Sequence, residues 1–233
     1  MPYTDPDIDT LLDAILPQVA FDGWSPAAFR AAVASTDLSE ARARALCPRG
    51  AVDLAVAFHR RGDRAMAKAL REEDLSALRF RDRVARALRL RLDVIEDREA
   101  VRRGMALFAL PHLAADGARL MWGTADAIWT ALGDASRDVN WYTKRATLSG
   151  VWSATVLYWL GDQSEDGAAT TAFIDRRIDE VMQIERAKAA VRGNPLLKPL
   201  TRPLAWAAGK VRAPMRMPDM DVPGMWRAPE DRT

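Results

Sequence analysis

DVNWYTKRATLSGVWSATVLYWLG, residues 138–161, carries no proline and no charged side chain after Arg145. Trp141, Leu148, Trp152, Thr155 and Trp159 fall on one stripe at steps of seven, four, three and four, while Val151, Ala154 and Tyr158 fill an adjoining face. That spacing is helical, and a helix apolar almost all round in its middle is a central one. The charge-free stretch from Ala146 to Leu160 is too short to span a bilayer. Its start is unlike the rest. Asn140, Trp141, Tyr142, Lys144 and Arg145 stand together at the helix start, a group costly to bury and risky to expose, so this end is expected to meet another surface.

Outward from this helix the 3.6-residue period recurs and no stretch alternates as a strand would, which predicts an all-α fold. Three short helices come first, about Asp7 to Ala20, from a Ser25 cap with Pro26 at the first position to about Val33, and from Thr36–Ser39 to near Pro48. Longer ones follow, from Gly50 to about Arg71, Leu75 to Leu92, Glu99 to Leu110 and Ala115 to Leu132. Two junctions echo each other, Leu132-Gly133-Asp134 and Leu160-Gly161-Asp162, each offering a glycine stop and a carboxylate for the next cap. They bracket a helix from Asn140 to Leu160 and precede one from Gly167 to Val191. Pro195, Pro199 and Pro203 then break the pattern before a short helix from Pro203 to Ala213 and an end beyond Pro214 expected to be mobile. The division expected is a helix-turn-helix-like bundle over 1–50, a larger helical domain over 51–193, and a basic, Pro-rich amphipathic tail over 194–233.

The chain has 233 residues, 49% of them hydrophobic, enough for a sizeable core, and a net charge of only +2. The charge is uneven, with Asp5, Asp7, Asp9, Asp13 and Asp22 and no cation in residues 1–24, against eight basic residues and no acid from Arg186 to Pro218. A lone cysteine, Cys47, excludes an internal disulfide framework, and the MPYTDPDIDT start has no secretory pattern, so a cytoplasmic location is expected.

Catalytic chemistry is scarce. His59 and His112 are the two histidines, and Val56 and Ala109 stand where an ExxH pair would need a carboxylate. Both rings are read as packed or capping side chains, and Cys47 as a buried thiol. Asp162 to Gly167 imitates half a calcium loop, but Phe173 occupies the position of the closing glutamate. No phosphate loop appears. The expectation is a protein that is not an enzyme and has no metal and no cofactor.

Binding features are plentiful. Periodicity alone reads the aromatic helices as a packed core, and against that reading eight tryptophans are hard to interdigitate without gaps and also suit the lining of an apolar ligand site. Candidate lipid-binding residues are Phe108, Met121, Trp122, Trp129, Trp152, Thr155 and Trp159. Candidate partner-binding residues are Asn140, Trp141, Tyr142, Lys144 and Arg145. In the tail Lys198, Arg202, Leu204, Trp206, Lys210 and Arg212 form an amphipathic segment suited to a membrane interface. The run Arg79, Arg81, Arg83, Arg86, Arg89 and Arg91 overlies an ordinary amphipathic helix and is read as a solvated face. Glu40, Arg42 and Arg44 would belong to a recognition helix, but the acidic first helix opposes phosphate binding.

DVNWYTKRATL together with LYWLGDQSEDGAATTAFIDRRIDEVM, residues 138–182, resembles the ninth coenzyme Q (ubiquinone) biosynthesis protein family, and Gly23-Trp24-Ser25 agrees with that family's start. The resemblance covers roughly residues 10–190. It implies a TetR-like all-α fold whose larger helical domain, residues 51–193, serves lipid binding and dimerisation, a homodimer, and a non-catalytic accessory protein that binds isoprenoid lipids or ubiquinone precursors. It further implies a di-iron demethoxyubiquinone hydroxylase as partner, met by Trp141 and Tyr142, and peripheral association with the inner membrane through the tail. The alternative carried beside it is a TetR-type transcriptional regulator with an apolar ligand, with DNA disfavoured as a partner by the charge pattern.

Overall fold

The computed structural model describes residues 5–193 and 212–213, with side chains in the last helix through Gln183. The expected short helix from Pro203 and the end beyond Pro214 lie outside the described residues, except that Arg212 and Ala213 are not helical. Among the described residues the secondary structure is entirely helical: α1 Pro6–Asp22, α2 Pro26–Ala34, α3 Glu40–Leu46, α4 Ala51–Glu72, α5 Phe80–Asp93, α6 Arg98–Phe108, α7 Ala114–Ala131, α8 Val139–Gly161 and α9 Ala168–Gly193, with a single 3₁₀ turn at Glu165–Gly167 before α9.

Most starts are set by short polar side chains. Asp5 accepts a hydrogen bond from the Asp7 amide, Ser25 from Ala28, Ser39 from Arg42, Asp97 from Ala100 and Asp138 from Asn140, each meeting an amide that the first turn leaves unpaired. Pro6 and Pro26 follow two of these caps, where a missing N–H costs nothing.

Two boundaries differ from expectation. Helix α5 begins at Phe80, not Leu75, because the Asp74 carboxylate takes the Ser76 amide at 2.9 Å and turns the chain. Arg83 then reaches back to the carbonyls of Leu78 and Ser76 and holds that turn. The two glycine junctions are also not equivalent. Gly133 takes φ +78° after α7, but Gly161 stays inside α8, and the left-handed residues of the second junction are Asp166 and Gly167. There the Asp162 carboxylate accepts from the amides of Ser164 and Thr170, each at 2.8 Å, so one side chain orders the whole connection.

The helices close two apolar cores. One gathers Leu11, Leu12, Ile15 and Val19 of α1 with Trp24, Phe29, Cys47, Leu54 and Ala100. The other gathers Met66, Leu70, Leu88, Ile128, Leu148, Trp152, Val156 and Ile174 from α4, α5, α7, α8 and α9. Helix α4 serves both, its first half in one and its second half in the other. Each fully buried Leu or Ile contributes roughly 1.5–3 kcal/mol, so both clusters are substantial.

The arginine run of α5 is not a solvated face. Arg89 pairs with Asp175 at 2.7 Å and Arg81 with Asp179 at 2.9 Å, clamping α5 to α9, while Arg86 holds Glu73 at the end of α4. Arg91 points inward and is 3% exposed. Its Nε donates to Asp63 at 2.7 Å and its Nη2 to the His59 carbonyl at 2.9 Å, so the guanidinium lies across α4 at Gly62. A Cβ at Gly62 would sit 2.4–2.7 Å from three guanidinium atoms. Gly62→Ala is therefore expected to displace a buried, paired cation and lower the unfolding free energy by about 2–4 kcal/mol. Denaturant melts of both proteins check this, and an unchanged midpoint would show that Arg91 has room to withdraw.

Candidate functional site

Between the two cores lies a cavity of about 520 Å³. Its walls are Ala55, Phe58, His59 and Gly62 of α4, Val94, Ile95, Val101, Met105 and Phe108 around the α5–α6 corner, Met121 of α7, and Trp152 and Val156 of α8. Trp24 closes the N-terminal side, fixed by its indole N–H donating to the Ala100 carbonyl at 3.1 Å. At the rim Arg61 is paired with Asp13 and reaches Glu96 at 4.0 Å. The two carboxylates are largely exposed, so this edge faces solvent. An apolar interior with a few polar groups and a volume in the roughly 300–1,000 Å³ range is what small-molecule sites present.

The polar groups form one chain. Arg91 holds Asp63, Asp63 accepts the Thr124 hydroxyl at 2.9 Å, and Thr124 Oγ1 lies 2.8 Å from His59 Nε2. Burial pushes the His59 pKa down to about 4, with the Arg91 charge adding to that and Asp63 opposing it, so the ring is neutral at pH 7. Cys47 sits in the neighbouring core, where burial raises its thiol to about 11 and keeps it protonated.

A second region lies at the start of α8. Trp122, Trp141 and Tyr142 form an aromatic cluster with centroids 5.9, 6.4 and 4.8 Å apart. Arg145 is 1% exposed, stacked 4.1 Å from the Trp141 centroid and bonded to Asp126 at 2.6 Å and Asp134 at 3.1 Å. Lys144 donates to Asp134 and Ser136 and stands over the Trp129 ring. Burial works to raise the Asp134 carboxyl, but hydrogen bonds from Lys144, Ser136 and Arg145 overcome it and hold it at about 2. Tyr142 is more exposed, and its hydroxyl donates to the Arg212 carbonyl at 3.3 Å, while Ala213 N–H donates to Arg137 O at 3.0 Å.

The model of the COQ9 family matches residues 114–185, which are α7, α8 and the first part of α9. The ubiquinone biosynthesis protein COQ9, mitochondrial, of Xenopus tropicalis is 31% identical over 183 residues, covering 74% of this chain and 56% of its own length. The human protein of the same name is 28% identical over 193 residues, covering 78% of this chain and 59% of its own length. Over most of its length the chain is similar to the COQ9 family. It spans a little over half the length of these relatives. A TetR transcriptional regulator from Nitrosomonas europaea superposes with a TM-score of 0.62 at 20% identity, covering 76% of this chain and 98% of that one, and the fold is TetR-like.

Of the candidate lipid-binding residues, Phe108, Met121 and Trp152 line the main cavity. Trp129 lines a second cavity of about 300 Å³ between α5, α8 and α9, shared with Phe80, Asn140, Lys144, Leu148 and Ile178. Trp122 belongs to the aromatic cluster instead. Thr155 is wholly buried, and Trp159 lies under the Arg98 guanidinium at 4.7 Å. Of the candidate partner residues, Arg145 is an internal strut, Lys144 ties down the preceding loop and Trp141 is half-buried, leaving Tyr142 as the exposed ring. Lys198, Arg202, Leu204, Trp206 and Lys210 lie outside the described residues, and Arg212 is exposed. Among the described residues no helix is long and apolar enough to cross a membrane.

Sequence reasoning passed over His59, Asp63, Arg91 and Thr124 as a group. The signal was partly present. Arg91 follows Val84 and Leu88 at helical steps, on the buried side of α5. His59 likewise lies four residues after Ala55 and seven before Met66, both buried.

The depressed His59 pKa has a definite sign. An unfolded histidine titrates near 6.5, so between about pH 6.5 and 4 the unfolded chain binds the extra proton and this contribution to stability falls as pH falls. From pH 7 to pH 5 the native protein is expected to lose on the order of 1–2 kcal/mol more than His59→Phe, read from urea midpoints at both pH values. Parallel losses in the two proteins would show that the ring charges as easily folded as unfolded.

Proposed function

We propose that this chain is a non-catalytic, lipid-binding accessory protein of ubiquinone biosynthesis, which takes up an isoprenoid ubiquinone precursor and presents its head group to the di-iron demethoxyubiquinone hydroxylase. The observation that carries this reading is the apolar cavity of about 520 Å³ between the two cores. The names of its relatives supply the pathway. An oily tail entering the cavity leaves one apolar medium for another, so transfer from a bilayer costs little, whereas the same tail in water would cost about 0.8 kcal/mol per methylene. A modest fit is then sufficient for exchange with a membrane.

The aromatic cluster around Trp122, Trp141 and Tyr142 is the proposed face for the hydroxylase, with Arg145 beneath it fixing the helix start. The basic tail around Lys198, Arg202, Leu204, Trp206, Lys210 and Arg212 is the proposed membrane contact, giving peripheral association with the inner membrane. A homodimer is proposed as the assembly. The regulator reading draws on the fold alone. Its recognition helix would be α3, where Arg42 is held by Asp5 at 2.6 Å and Asp7 at 2.8 Å and Arg44 stacks on Phe29. Cations already answered by carboxylates bring little to a phosphate backbone.

Organic extraction of the purified chain followed by mass spectrometry is expected to release prenyl or acyl lipid. Protein that carries no lipid and takes none up from prenylquinone-loaded vesicles would remove the reading. Tyr142→Lys, which removes the outermost ring of the cluster, is expected to cost about 1–2 kcal/mol of stability and, in protein shown to be folded, to lose the hydroxylase in pull-down. Retained pull-down would take Tyr142 out of the contact.

A further inference from the structure

We propose that His59 gives the cavity its head-group preference, its Nδ1 accepting a hydrogen bond from a phenolic hydroxyl, so that hydroxyl-bearing prenylated aromatics are held in preference to the corresponding quinones or ethers. This rests on the lipid-binding reading and adds to it a chemical class and a residue.

The geometry fixes which ring nitrogen is free. Thr124 has one hydroxyl proton, and the strongest acceptor within reach is the Asp63 carboxylate at 2.9 Å. With that proton given to Asp63, the 2.8 Å contact between Thr124 Oγ1 and His59 Nε2 needs the proton on Nε2. Asp63 cannot turn away, because Arg91 Nε holds the same carboxylate oxygen at 2.7 Å from the other side. The order of donation therefore runs from His59 to Thr124 to Asp63, and Nδ1 is left with a bare lone pair. Beyond that chain the ring meets the Leu120 carbonyl, which lies 3.3 Å from Thr124 Oγ1 and so beside Nε2, while Nδ1 makes no hydrogen bond to a described residue and His59 lines the cavity.

A bare acceptor in an apolar cavity asks for a donor, because an unmet polar group in such surroundings is expensive. The ring is neutral at pH 7, so it offers neither a charge to an anion nor an N–H on that side to a carbonyl. The complementary ligand group is O–H. A phenolic O–H is a stronger donor than an aliphatic one, and Trp24, Phe58 and Trp152 supply flat walls for its ring. The remaining lining, including Val94, Val101 and Met105, suits a branched hydrocarbon tail.

The test is equilibrium binding of four probes to the full chain at pH 7, followed by tryptophan fluorescence or calorimetry. The probes are geranyl hydroquinone, its dimethyl ether, geranyl benzoquinone under non-reducing conditions, and farnesol. The hydroquinone is expected to bind about tenfold more tightly than the other three, the value of one net hydrogen bond. In His59→Phe the four affinities are expected to fall within about threefold of one another. The comparison on the unaltered chain stands even where the variant fails to fold. Equal affinity of ether and hydroquinone in the native protein, or a preference that survives in His59→Phe, overturns the assignment while leaving lipid binding intact. Farnesol binding as tightly as the hydroquinone overturns the phenolic part. Binding of none of the four overturns the lipid-binding reading together with this one.

Discussion

A single buried cation holds the middle of the molecule in place. Arg91 leaves the apolar side of α5, crosses α4 where Gly62 has no side chain to oppose it, and ends on the Asp63 carboxylate and the His59 carbonyl. Taking a guanidinium out of water is costly, and a well-packed hydrophobic replacement is often as stable. The arrangement makes structural sense because of what it orders. Asp63 is held on α4, Thr124 of α7 is bonded to it, and His59 is set in one tautomer at the cavity wall. The ion pair thus ties α5 to α4 beside their apolar contacts and sets the polarity of the cavity.

The cavity exists because α4 is shared by two cores that do not merge. Its first half packs with α1 and α2, its second with α5 and α7, and the wall residues between them belong partly to each core. Trp24 and Trp152 approach from opposite sides, and large rigid rings that cannot interdigitate leave space for a guest. A second buried cation, Arg145, does for the start of α8 what Arg91 does for α4 and α5, binding Asp126 and Asp134 beneath the Trp141 ring. The two arginines fix the elements that carry the cavity and the aromatic cluster.

The helical class and the order of helices were legible in the spacing of apolar residues, since each buried stripe repeats at the helical period, but the central place expected of α8 falls to α4, and α8 packs mainly on α7 and α9 with Leu157 and Tyr158 exposed. Local side-chain chemistry shifted the boundaries that period alone misplaced, as Asp74 did by turning the chain before α5. The site was legible in part. Phe108, Met121 and Trp152 were picked out as apolar residues on inward faces, and they do line the cavity. Its polar floor was not, because charged residues inside an apolar stripe were read as surface. Trp141 and Leu148 are separated by a step of seven with Arg145 filling the gap, and Val84 and Leu88 are followed on the same face by Arg91. What periodicity could not provide was the partner: Asp63 lies 28 residues before Arg91, and Asp126 19 residues before Arg145. Only the fold brings those charges together.

The most direct measurement is a two-bond proton–nitrogen correlation spectrum of the full chain labelled at histidine, recorded at pH 7. His59 is predicted to appear as a neutral ring with its proton on Nε2 and a bare Nδ1. A charged ring, or a proton found on Nδ1, would contradict the chain of donors from His59 through Thr124 to Asp63 and the polar floor built on Arg91.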